Sequence, residues 1–479
     1  MTPARPTVVV AGANGFVGRA LTPRLAQRFR VIGLSRSERA DLGVPSRRCD
    51  LLSHDDAARA LEGADLAVYL VHAMMPSDRL VQGDFDDIDL VAADNFARAA
   101  ARAGVRQIVY LGGLAPTDAT PSRHIRSRLE VERALGAYGV PVTVLRAGLV
   151  LGPGGSSSRI VFNLARRLPV MVCPRWTATP TQPIGLDDVV ALLDAVLDRA
   201  DAVGRVFDVG GPDVVTYREI MELAGEALVG RPPRTFTVPV LTPELSRLWV
   251  TLVTGAPKAL VAPLIGSLSH PMVARDRRLQ ERVGVPGRAL RDVLAEAIAA
   301  DAEAGTPRAF EGGGGGSRRG RPPRVRSVQR FVRPPGMRAA DVAADYFRWV
   351  ERALGPVVHA RPRDDGGADL AVLGVTTPML TLVPEGEPRP DRAAFAITGG
   401  LLGTGKGTFE IREVLGGEAL TAVISDYEPR LPWWLYASTQ APAHAAVMWL
   451  FGRHLSRLAA TSEAPPTRAA DPAPAAATA

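Results

Sequence analysis

Gly12-Ala13-Asn14-Gly15-Phe16-Val17-Gly18 follows the apolar run Val8-Val9-Val10-Ala11 and opens an amphipathic stretch that continues to Phe29. The run reads as a buried strand, and the spacing predicts a helix over residues 16–29. Glycines at 12, 15 and 18 permit a tight turn and let another group approach the backbone. The helix start then offers unpaired N–H groups and a positive dipole end. Together these features suit the pyrophosphate of a dinucleotide, with Gly12, Asn14, Gly15, Phe16, Val17 and Gly18 as its contacts. The alternative is a tight strand–helix turn with no ligand.

Outward from this turn the chain alternates. Strand signals fall at residues 7–11, 30–34, 66–71, 107–111 and 142–146, with helical patterns between them, notably at 84–103 and 123–138. Alternation of this kind implies an α/β fold, a doubly wound parallel sheet of Rossmann type covered on both faces. Pro23 lies inside the first helical pattern, where it costs stability or kinks a helix. The second strand ends Gly33-Leu34-Ser35-Arg36-Ser37. An acidic residue at this point would hold the ribose hydroxyls of NAD; Arg36, with Ser35 or Ser37, suits the 2′-phosphate of NADP instead. NADP is therefore the expected cofactor, with NAD as the alternative. Asp50, after a short third strand, is placed either to contact adenine or to cap the following turn.

At 479 residues the chain exceeds one ordinary core. Its composition, 46% hydrophobic and 22% charged, is that of a globular protein. Two cysteines, Cys49 and Cys173, argue against a disulfide scaffold and fit a reducing cytoplasm. No secretory signal opens the chain. The apolar stretch 248–268 is broken by Pro257, Lys258 and Pro263, so no transmembrane span is expected, although peripheral membrane contact stays open. The division expected is a dinucleotide-binding domain with a substrate-side lobe over 1–305, a Gly/Arg/Pro-rich linker over 306–324, an α+β domain over 325–461 and an Ala/Pro tail over 462–479. Arginines 318, 319, 321, 324, 326, 330 and 333 are dense, but without zinc-ligand spacing or an aromatic platform they read as a solvated linker, not a nucleic-acid surface. No metal site is expected.

The later segment shows a helical pattern at 339–354, strand-like stretches at 369–373, 379–383, 393–398, 408–414 and 419–427, and a long helix at 433–458. That order resembles a helix-grip, lipid-transfer-like fold, which implies an apolar ligand between sheet and helix or else a filled core. The run from Gly400 to Gly407 looks like a phosphate-binding loop. It lacks the Ser/Thr after its lysine and precedes a strand pattern, so a hairpin turn is expected.

Five stretches in the first part carry a resemblance: GANGFVG (12–18), YLVHAM (69–74), AADNFARAAARAGVRQIVYLGGL (92–114), SRHIRSRLEVERAL (122–135) and VTVLRAGLVLGPGGSS (142–157). In order and spacing this part resembles an atypical short-chain dehydrogenase/reductase of the YbjT-like kind. The resemblance implies an NAD(P)-binding oxidoreductase, and in many such proteins a C-terminal domain of unknown function follows. It also exposes departures. The chain holds only two lysines, Lys258 and Lys406, and no tyrosine of the first half precedes a lysine by four residues. The expected serine falls at Gly112 or Gly113, and Tyr-x-x-x-Lys becomes His124-x-x-x-Arg128.

His124 can relay a proton near neutral pH, and Arg128 can hold the nicotinamide ribose or a substrate carboxylate. Alternatively, His124 is a helix-start residue and Arg128 an ion-pair partner of Glu132. His72, after the fourth strand, is a second proton-transfer candidate and a contact for the nicotinamide. Asn95 resembles the helix asparagine of related reductases. The leading expectation is an oxidoreductase acting on a small apolar carbonyl or related substrate. The alternatives are a non-catalytic NADP(H)-responsive protein and a carrier of an apolar ligand.

Overall fold

The computed structural model describes residues 5–36, 42–73, 80–116, 120–238, 251, 254–257, 266–303, 324–355 and 357–463. Several expectations fall outside these residues. They are the role of Ser37, Lys258 and most of the apolar stretch around it, the glycine run at 312–316 with Arg318, Arg319 and Arg321, and the tail from 464.

The chain divides into two units, residues 1–78 with 84–321, and residues 79–83 with 322–479. In the first, seven strands form one parallel sheet: β1 (Thr7–Ala11), β2 (Arg30–Ser35), β3 (Ser46–Arg48), β4 (Leu66–Tyr69), β6 (Gln107–Gly113), β7 (Val142–Ala147) and β8 (Val206–Val209). Their spatial order is β8-β7-β6-β4-β1-β2-β3. Every pairing is parallel, with Val8 opposite Val31 on one side and Leu66 on the other. The fold expected from the alternating pattern is therefore the fold observed.

The central strands are apolar along their length because both faces are covered. Helix α1 (Phe16–Leu25) packs with α6 (Leu186–Val196). There Leu21, Leu25, Val189 and Leu193 join Val8, Val10 and Val68 in one core. Each such side chain contributes about 1.5–3 kcal/mol when fully buried. Helices α2 (His54–Leu61), α3 (Phe85–Ala103) and α4 (Arg123–Gly136) pack side by side. Helix α1 was expected to reach Phe29 but ends at Leu25. Pro23 lies in its last turn and removes the N–H that would bond the Arg19 carbonyl, while residues 26–29 continue as turns, the Ala26 N–H donating to Thr22 O at 3.1 Å. Helix α5 (Ser156–Arg167) and α7 (Tyr217–Val229) pack together in a smaller core with Phe162, Met171 and Ile220.

The second unit holds an eight-stranded sheet. Its strands are β5 (Leu80–Gln82), β9 (Val325–Val332), β10 (Val358–Pro362), β11 (Ala368–Val372), β12 (Leu380–Pro384), β13 (Arg392–Gly399), β14 (Thr408–Val414) and β15 (Ala419–Tyr427). The order is β10-β11-β12-β13-β14-β15-β9-β5, antiparallel except for the edge pair β9–β5. Helices α8 (Ala339–Leu354) and α9 (Ala441–Glu463) share its core, where Tyr346 lies 5.4 Å from Phe409 and 5.0 Å from Phe451 by ring centroids. Aromatic rings contribute much of this core.

Two expectations change here. The arginine-dense stretch was read as solvated linker through Arg333, yet residues 325–332 form β9, and Arg324 and Arg326 pair with Asp426. The charge density hid this strand, because Arg326 is buried between Val325 and Ser327 instead of standing in solvent. The strand at residues 80–82 was not anticipated, since three residues are too few to show a period. The glycine-rich loop before Thr408 joins β13 to β14, and Lys406 bonds Glu428 at 3.1 Å. It is a hairpin, as its sequence context indicated.

Candidate functional site

The first strand–helix turn is built around absent side chains. Gly12 has φ +85°, and a Cβ there would lie 3.0 Å from the Leu70 carbonyl. A Cβ on Gly18 would stand 2.2 Å from the Gly12 oxygen, so only glycine fits. The Gly15 N–H donates to Gly12 O at 2.8 Å and closes the turn. Helix α1 then begins at Phe16 with no side-chain cap, which leaves its first N–H groups available.

Asn14 donates from Nδ2 to Ser35 Oγ at 2.9 Å, joining the turn to the end of β2. Its Oδ1 is buried and has no protein partner. An orphaned acceptor beside a glycine cradle and an open helix start fits a dinucleotide. Arg36 is exposed directly after Ser35. The Phe16 ring occupies the space a Cβ on Gly155 would take, at 2.8 Å, so the loop 152–155 lies against the helix start. Val17 is half-buried beside it. The Asp50 carboxylate accepts the Leu52 N–H at 3.3 Å and so caps its own turn. Asn95 donates to Leu51 O at 2.8 Å, tying α3 to the same turn.

A second cluster forms past the end of β4. His72 leaves that strand, α3 presents Asp89, and α4 presents His124 and Arg128. Asp89 is the hub. Its Oδ2 lies 2.7 Å from His72 Nδ1 and accepts from Arg128 Nη2 at 2.8 Å, while Oδ1 accepts the Ala73 N–H at 2.7 Å. Arg128 Nη2 is also 2.5 Å from His72 Nδ1. The His72 and His124 rings stand 5.1 Å apart. His72 Nε2 and His124 Nδ1 are both buried without a partner.

Nδ1 of His72 thus faces both an acceptor, Asp89 Oδ2, and a donor, Arg128 Nη2; a proton on Nδ1 suits the carboxylate and frees Nε2 as an acceptor, while a bare Nδ1 suits the guanidinium and puts the proton on Nε2. Burial holds the His72 pKa below its ordinary value; Arg128 adds to this and Asp89 opposes it. Burial, with His72 and Arg128, holds His124 down to about 3. For Asp89, burial alone would raise the carboxyl. Contact with His72 and Arg128 and the Ala73 N–H outweigh it, and the pKa is lowered. A low-dielectric site strengthens each of these contacts.

Sequence reasoning brought His72, His124 and Arg128 to one place, and the geometry redistributes their parts. Arg128 does not pair with Glu132, which bonds Arg146 at 2.8 Å. It is buried and turned to Asp89. His124 sits in the first turn of α4, whose cap is Ser122. Asp89 was missed. Its signal was present in Asp84, Asp86, Asp87 and Asp89, but acids at a helix start ordinarily serve the helix dipole. Tyr69 and Tyr110 do not replace the absent tyrosine acid. Both are fully buried, and burial pushes their pKa values up, Tyr110 to about 12. Among the described residues no His, Cys, Asp and Glu cluster could hold a metal.

A family model described as NAD(P)H-binding matches residues 12–155. The chain is 29% identical to the auxiliary protein GraX of Staphylococcus aureus over 29% of this chain, and it spans 43% of that relative's length. It is 30% identical to a ceramide reductase of Caulobacter vibrioides, over 50% of this chain and 75% of the relative. It is also 30% identical to a (4-alkanoyl-5-oxo-2,5-dihydrofuran-3-yl)methyl phosphate reductase of Streptomyces griseus, over 60% of this chain and 97% of the relative.

Proposed function

Because the chain belongs to the NAD(P)H-binding family of atypical short-chain dehydrogenase/reductases, we propose that it is an NADP(H)-dependent reductase of an apolar carbonyl or related polarised substrate, with His72 as its proton-transferring group. One observation carries this reading: His72 is fixed through Nδ1 by Asp89 while its Nε2 is buried, unpartnered and turned away from that carboxylate. Fixing one ring nitrogen with a carboxylate orients the ring and readies the other for proton transfer.

The glycine cradle at 12, 15 and 18, the open start of α1 and Asn14 Oδ1 would hold the dinucleotide. Arg36 and Ser35 would receive a 2′-phosphate. The cofactor supplies hydride at its nicotinamide. This chain's part is to manage the proton. Protonated His72 gives its Nε2 proton to the substrate oxygen as charge builds there, and returns to the neutral ring. Asp89 stabilises the transient imidazolium, and Arg128 keeps Asp89 ionised. His124, neutral at working pH, lies beside His72 and offers a hydrogen bond to the same oxygen. In the oxidative direction the bare Nε2 accepts the alcohol proton.

Two relatives named as reductases support the reaction class, and the one named for ceramide supports an apolar substrate. The strand–helix–strands–helix order of the second unit supports a helix-grip-like fold there. NADPH oxidation across a panel of aliphatic aldehydes, ketones, quinones and enones tests the function. A folded protein that binds NADPH but turns over no member would favour the other reading, a nucleotide-responsive protein without chemistry, for which the absent Tyr-x-x-x-Lys speaks.

A further inference from the structure

The C-terminal helix carries apolar residues on both sides. Its inward side supplies Met448, Phe451 and Leu455 to the core. Its outward side would ordinarily be charged. Here it shows Ala445, Ala446, Trp449 and Leu450, and then Arg453 and Arg457. Trp449 is 61% exposed, and Trp434, in the short helix Trp433–Leu435 before it, is 71% exposed. The Arg453 guanidinium lies 4.9 Å from the Trp449 ring centroid. Arg430, just upstream, bonds its Nε to Gly403 O at 2.8 Å, and so ties the loop bearing half-exposed Leu401 to the approach of the tryptophans.

The charge on this stretch has one sign. From Pro429 to Ser462 the sequence contains no Asp or Glu, while Arg430, Arg453 and Arg457 lie within it. Tryptophan and arginine on one exposed helix face suit the boundary between lipid headgroups and acyl chains. No helix among the described residues is long and apolar enough to cross a membrane, so such a helix lies on the surface. A second copy of this chain is a poorer occupant, because two copies meeting through this face would bring Arg453 and Arg457 of each together. We propose that this face docks on an anionic bilayer surface, with Trp434 and Trp449 entering the headgroup region and Arg453 and Arg457 facing the lipid phosphates.

The test is co-sedimentation of the full chain with vesicles of phosphatidylcholine, with and without phosphatidylglycerol. Binding is expected to the anionic vesicles, weakened by salt. Arg453→Glu and Arg457→Glu should each lower the partition coefficient about fivefold or more, from the worth of one cation near such a surface. Trp434→Ser with Trp449→Ser should lower it about tenfold or more. Circular dichroism checks that each variant is folded. The unaltered protein gives a second reading, since brominated lipid in anionic vesicles should quench part of its tryptophan fluorescence. Equal binding to neutral and anionic vesicles, no quenching, or no effect of the tryptophan changes would overturn the proposal. So would absence of vesicle binding together with a dimer, seen by light scattering, that Trp449→Ser dissociates.

Discussion

The Asp89 carboxylate lies 2.7 Å from Nδ1 of His72, and the opposite nitrogen of that ring has no protein partner. A ring held this way is oriented by its Nδ1 contacts and keeps its second nitrogen for a proton. Removing the carboxylate should affect both chemistry and stability. Asp89→Asn leaves Arg128 buried without its counter-charge, and breaking a buried pair in this manner costs about 3–5 kcal/mol. Thermal unfolding should shift downward, and the pH profile of turnover should move because His72 loses its carboxylate. An Asp89→Asn protein with unchanged stability and pH profile would show that Asp89 is a bystander.

The pH dependence follows from the lowered histidine pKa values. In the folded state His72 and His124 bind protons less readily than in the unfolded chain, His124 only near pH 3. Their contribution to stability is therefore present above the ordinary histidine value near 6.5. It is lost as pH falls from there toward about 3. Chemical denaturation between pH 7 and 4 should show falling stability, and His124→Phe should flatten the slope. Carbonyl reduction draws on protonated His72, so kcat should decline as pH rises through its lowered folded pKa. A reductive rate that climbs with pH would contradict the acid role.

The strand, glycines and helix that open the chain are readable from sequence because each rests on a local rule: apolar run, turn geometry, helical period. The same holds for the parallel sheet, whose central strands are apolar along their length. His72, Arg128 and His124 were recognisable as candidates, but not their division of labour. Asp89 and His72 come from separate elements, and nothing local tells a hub carboxylate from a dipole-serving one. The Arg128 partner was likewise a matter of packing, since Glu132 sits at favourable helical spacing yet turns to Arg146. Strand β9 was hidden by its arginines, whose carboxylate partners arrive from the distant end of β15.

Cofactor choice rests on Arg36. One charge-assisted contact contributes about 1.5–3 kcal/mol. Arg36→Ala should thus narrow the preference for NADPH over NADH roughly tenfold or more, read by calorimetry with both dinucleotides. Equal affinities in the unaltered protein would remove this assignment.

The cradle admits no side chain at Gly18, where a Cβ would meet the Gly12 oxygen at 2.2 Å. Gly18→Ala must displace backbone, and overpacking of this kind costs about 1–3 kcal/mol. Lower thermal stability and a much weaker NADPH Kd are expected together. Retained affinity would place the cofactor elsewhere.

The central claim, that His72 held by Asp89 transfers the proton beside bound NADPH, is tested most directly by His72→Phe. Turnover of the best substrate found in the carbonyl panel and NADPH affinity by calorimetry are measured on the same preparation. The account predicts a fall in kcat of about 10²–10⁴-fold with the NADPH Kd nearly unchanged, and a smaller loss for His124→Phe. Undiminished turnover in His72→Phe, with NADPH still bound, would contradict it.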